Sequence, residues 1–133
     1  MRDLTTMEHG KWKTLRSSFD DALARVPAAL SEQGFGIVSQ IDLGETIRAK
    51  LGKDVGRYRI IGACNPTFAF DAVTREPRVG VLLPCNVVLY EQKDGTAVLG
   101  AIDPMQAVGA EPALKELAAE VSARLERFVA SVE

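Results

Sequence analysis

The 133-residue chain sets 16 Lys and Arg against 18 Asp and Glu, for a net charge of −2 with both signs interspersed. At 47% hydrophobic and 26% charged residues it has the balance of one globular domain able to bury a single core. This excludes the clustered basic surface on which nucleic-acid binding leans, and no apolar run approaches the ~20 residues that cross a bilayer.

Residues 1–10 are polar and read as a flexible tail without the apolar segment of a signal peptide. Residues 11–133 read as one domain, and a cytoplasmic location with reduced cysteines is expected. Lys11 to Leu15 suggests a short strand. Phe19, Leu23, Val26 and Leu30 then mark one face of a helix, with Ser17 or Ser18 as cap and Gly34 as stop. Pro27 lies inside that helix and predicts a kink or break near Arg25. Phe35 to Ile41 alternates as a strand, with Phe35, Ile37 and Ser39 on one side. Asp42 opens a second helix to Leu51, with Glu45 at capping-box spacing and Leu43, Ile47 and Leu51 as its buried stripe.

Arg57 to Cys64 is the next strand, with Arg59, Ile61 and Ala63 on one side and Tyr58, Ile60, Gly62 and Cys64 on the other. Asn65-Pro66 has the signature of a helix start, Asn as cap and Pro at the first helical position. Val79 to Glu91 reads as a long strand bulged at Pro84, because proline cannot donate to a ladder. Lys93-Asp94-Gly95 turns it into an antiparallel partner, Thr96 to Ile102. Leu114, Leu117, Val121, Leu125, Phe128 and Val132 mark a final helix from about Pro112 to Ser131. The order predicts a two-layer α+β domain with a mainly antiparallel sheet.

The segments Gly34-Phe35-Gly36-Ile37, Tyr58 to Pro66, Val79 to Val88 and Ile102-Asp103-Pro104 occur in an order that resembles the bacterial and archaeal family called domain of unknown function 302. The resemblance spans roughly Ser17 to Val132. It implies a curved, mainly antiparallel sheet with helices on one face, of the TATA-binding-protein-like type, and a homodimer. It implies no activity, and the nucleic-acid role of the fold's namesake does not transfer.

The chemistry concentrates in two Cys-Asn pairs that use the only two cysteines of the chain. Cys64 precedes a helix start, where the dipole favours a thiolate, although a free cysteine also serves as a small buried hydrophobe. Cys85 follows Pro84, where a bulge can re-aim a side chain. If the two strands are neighbours, the thiols converge on a shared site for a soft metal, a redox couple or an electrophile. Asn65 is read as a helix cap, Asn86 as an amide that must find partners, and Asp103 as a base, a ligand or a cap.

His9 is the sole histidine, which removes a serine triad. Two cysteines without paired short spacing make no zinc pattern, and Gly34-Phe35-Gly36 is no phosphate loop. The leading expectation is a non-enzymatic small-ligand-binding or sensory domain with a site at Cys64, Asn65, Cys85, Asn86 and Asp103. A small molecule is the expected partner, with no catalytic residue, metal or cofactor assigned. A thiol-dependent enzyme and a structural interaction domain are the alternatives.

Overall fold

The structure is a computed structural model, and residues 10–133 are described; the tail, His9 included, falls outside these except for Gly10. Five strands form one antiparallel sheet in the order β1-β5-β4-β3-β2, not closed into a barrel. They are β1 (Gly10–Thr14), β2 (Gly36–Asp42), β3 (Tyr58–Cys64), β4 (Cys85–Glu91) and β5 (Ala97–Ile102). The helices are α1 (Phe19–Glu32), α2 (Leu43–Leu51), α3 (Pro66–Arg75), α4 (Pro104–Val108) and α5 (Lys115–Ser131), with a 3-10 helix at Pro77–Leu82. The expected α+β architecture is present, with helices packed on the sheet.

The alternation of β3 is as read from its residues. Ile61 and Ala63 join Val87, Leu89, Leu99 and Ala101 from the neighbouring strands in one core. Phe19, Val26 and Leu30 of α1 and Leu125 and Phe128 of α5 close that core from above. Across the opposite face, Trp12, Gly100, Val88, Ile60 and Ile41 lie in register over all five strands.

The helix containing Pro27 is not interrupted, contrary to the expected break near Arg25. Proline in a helix interior costs about 3 kcal/mol, whereas each fully buried Phe, Val or Leu side chain contributes about 1.5–3 kcal/mol. Phe19 and Val26 before the proline and Leu30 after it are all buried, so packing outweighs the lost hydrogen bond. Pro27 itself is exposed, which leaves the defect on the solvent side.

Strand β2 departs from strict alternation. Ile37 opposes Ala63 but Ser39 opposes Gly62, so Val38 is bulged and the two residues read as sharing a side face opposite ways. The stripe expected on α2 is corrected at its end: Leu43 and Ile47 are half-buried but Leu51 is 67% exposed, and the fully buried residue is Gly44. A Cβ at Gly44 would stand 2.5 Å from the Gly56 carbonyl oxygen, so the helix approaches the segment before β3 through its backbone at this point.

The long strand expected from Val79 is shorter by six residues at its start, since β4 begins only at Cys85. Val79 is buried while Val81 is 87% exposed, a disposition that a strand cannot give to residues two apart. Here the chain forms a 3-10 helix, where such residues point in different directions. Glu76 caps it by accepting from the Arg78 amide at 2.8 Å, and Leu83 donates to Gly80 at 3.2 Å. The final helix begins at Lys115, three residues later than expected, without a side-chain cap.

Candidate functional site

Beside the main core lies a smaller cluster, Ala72, Val79 and Leu114, packed with Leu83, Val108 and Leu117. Between the two clusters is a cavity of about 340 Å³. It sits where β3 ends, β4 begins and β5 ends, and it is walled by α3, the 3-10 helix, α4 and α5. Ala63, Ala69, Ala72, Ala107 and Ala118 contribute to its walls, and these short side chains leave room in a pocket that is partly open to solvent. Phe35 and Phe68 bound it on the side of the main core. Among the described residues no charged side chain lines it; Asn65, Cys64 and Cys85 supply the polar or polarisable atoms.

Asn65 fixes α3 in two ways. Its Oδ1 accepts from the Phe68 amide at 3.1 Å, as the helix-start signature predicts. Its Nδ2 donates to the Gly34 carbonyl at 2.9 Å, tying the helix to the loop before β2. Gly34 has φ of +86°, a left-handed conformation suited to glycine. A Cβ there would also stand 3.0 Å from both Asn65 Nδ2 and Arg124 Nη1. Arg124 in turn lies 5.1 Å over the Phe68 ring and donates to the Gln33 carbonyl at 3.0 Å. The wall carrying Phe68 is therefore held by a helix cap, a loop tie and a cation–π contact.

The two cysteines are free thiols, and both line the cavity. Cys85 pairs in register with Ala63, so Cys64 is the next residue along the adjacent strand. Burial pushes the Cys85 thiol up to about 11, and the nearby Cys64 pushes it in the same direction. At neutral pH Cys85 is a protonated thiol rather than a nucleophilic thiolate.

The remaining two residues of the expected site lie elsewhere. Asn86 is exposed and opposes Gly62 in register, on the sheet face away from the main core. Being exposed, its amide meets solvent and raises no question of buried partners. Asp103 is 4% exposed and forms a separate polar cluster. It accepts from Ser122 Oγ at 2.7 Å and from the Met105 amide at 3.0 Å, with Lys11 Nζ at 3.5 Å. Burial pushes its carboxyl up, but Ser122, the Met105 amide and Lys11 together outweigh this and hold it below the ordinary carboxylate value. Asp103 thus caps α4 and joins β1, α4 and α5. The site residues brought together are Cys64, Asn65 and Cys85.

Sequence reasoning missed the apolar walls. Nothing in the spacing of Ala69 and Ala72 of α3 or of Ala118 of α5 says that opposite walls fail to meet. The one available signal was Val79 to Pro84, an apolar run too interrupted for a strand yet too apolar for a loop.

The family model described as "Domain of unknown function DUF302" matches residues 12–132. The chain belongs to the DUF302 family. A solved structure of similar fold is the crystal structure of the uncharacterized conserved protein DUF302 from Bacillus stearothermophilus. It is 27% identical with a TM-score of 0.88, covering 96% of this chain and 100% of that one. No curated protein matches. Among the described residues of this DUF302 domain, no helix is long and apolar enough to cross a membrane.

Proposed function

We propose that this DUF302 domain binds a small, neutral, apolar molecule in the cavity between its two hydrophobic clusters. The observation that supports the reading is a partly open pocket of about 340 Å³ with no charged side chain among the described residues of its walls. An apolar cavity of about 150 Å³ accommodates benzene, so this one suits a ligand of roughly twice that bulk. An ionised ligand would lose its hydration without a counter-charge, which favours an uncharged occupant. The protonated state of Cys85 favours binding over nucleophilic catalysis by that thiol.

The test is a titration with N-phenyl-1-naphthylamine, a neutral apolar fluorophore, comparing the parent protein with Ala69→Trp. Saturable binding at one equivalent is expected, with loss of binding in the filled variant while its melting temperature is kept. Absence of saturable binding, or equal binding by the filled variant, overturns the reading.

A further inference from the structure

We propose that Cys64 and Cys85 form a two-thiol site, opening on the apolar cavity, for a thiophilic metalloid or soft metal centre carried on an apolar organic group. The proposal rests on the cavity reading above and adds the chemistry of the recognised atom. Both cysteines line the same cavity, Cys64 at the end of β3 and Cys85 at the start of β4. Cys64 also lies near enough to oppose ionisation of Cys85.

The described residues of the walls supply no carboxylate or imidazole, and the described residues contain no group of three or more His, Cys, Asp or Glu placed to hold a metal ion. Hard ions that demand several oxygen ligands are therefore poorly served, whereas sulfur donors select soft centres of low coordination number. An apolar group on that centre would occupy the space beside Phe35, Phe68 and Leu83.

A trivalent arsenical illustrates the balance. Phenylarsonous acid has two As–OH bonds. Each thiol exchanges its S–H for an S–As bond, each As–OH bond breaks, and the two hydroxyls leave as two waters with the thiol protons. Arsenic stays trivalent and no electrons are transferred. Such an exchange starts from neutral thiols, the form Cys85 takes at neutral pH.

The probe is phenylarsine oxide, added to the folded chain and followed by native mass spectrometry and titration of free thiols. One arsenical per chain and loss of both free thiols are expected. Cys64→Ala should weaken binding on the order of 100-fold, because the second As–S bond then has no intramolecular partner. An unmodified native protein, retention of one free thiol at saturation, or equal affinity in Cys64→Ala each overturns the proposal. Binding of N-phenyl-1-naphthylamine by Cys64→Ala separates the two readings. Fluorophore binding without arsenical capture sinks the two-thiol site alone, and capture without fluorophore binding sinks the apolar-ligand reading alone.

Discussion

Pro84 packs over Gly62 so closely that a Cβ on the glycine would stand 2.6 Å from Pro84 Cγ. The same Cβ would also collide with the Ser39 hydroxyl. Gly62 lies in mid-strand, where glycine is otherwise a poor choice. Its lack of a side chain leaves the room that the Pro84 ring, just before β4, occupies against β3. Gly62→Ala is expected to destabilise the fold by about 1–3 kcal/mol, the usual cost of overpacking. Urea unfolding checks this, and a stability equal to the parent's would show that Pro84 and Ser39 yield freely.

This contact shows which parts of the molecule were legible in its residues. Capping by Asn65, the hairpin at Asp94-Gly95 and the apolar face of α5 rest on local rules, and each could be read directly. The sheet alternation of Ile61 and Ala63 was equally plain, because one buried face imposes a period of two. The path from Val79 to Pro84 was not legible, since its apolar residues serve a second cluster supplied by α3 and the segment before α5. Likewise, Asp103 and Asn86 are close in the sequence pattern to the cavity residues but turn to different surroundings. Their separation follows from strand register and from Ser122, 19 positions further along the chain.

Asn65 makes two bonds that substitutions can separate. Asn65→Ala loses both the cap and the tie to Gly34, with an expected cost of about 1–2 kcal/mol. Asn65→Asp keeps an acceptor for the Phe68 amide but cannot donate to the Gly34 carbonyl. It should lose about 0.5–1.5 kcal/mol, the worth of one ordinary hydrogen bond. Chemical denaturation of both variants checks the order. Equal stability of Asn65→Asp and the parent would show that the Gly34 tie contributes nothing.

The single tryptophan offers an optical report on the sheet face opposite the main core. A Cβ on Gly100 would stand 2.5 Å from Trp12 Cε3, so Gly100→Ala must displace the ring. Trp12 Nε1 is buried, and its displacement should expose the indole to water. A red-shifted emission maximum is expected with a loss of stability of about 1–3 kcal/mol. An unchanged spectrum in a folded variant would mean that the strand, not the ring, moves.

The Asp103 cluster predicts an acid dependence whose sign is fixed. A carboxyl held below its unfolded value contributes stability above the ordinary range near 3.9 and loses it as pH falls through the lowered folded value. Asp103→Asn should therefore be less stable than the parent at pH 7, and the difference should shrink as the solution is acidified below about pH 4. Other carboxyls with lowered values, Asp20 and Glu76 among them, titrate in both proteins and cancel in the comparison. Ser122→Ala supplies the complementary measurement. It removes the 2.7 Å donor and should cost about 1–3 kcal/mol at pH 7, because a buried carboxylate oxygen is left with less compensation. Urea midpoints for the three proteins at pH 7 and pH 3 decide the matter. A pH-independent gap between Asp103→Asn and the parent would show that the carboxylate's charge plays no part in joining β1, α4 and α5.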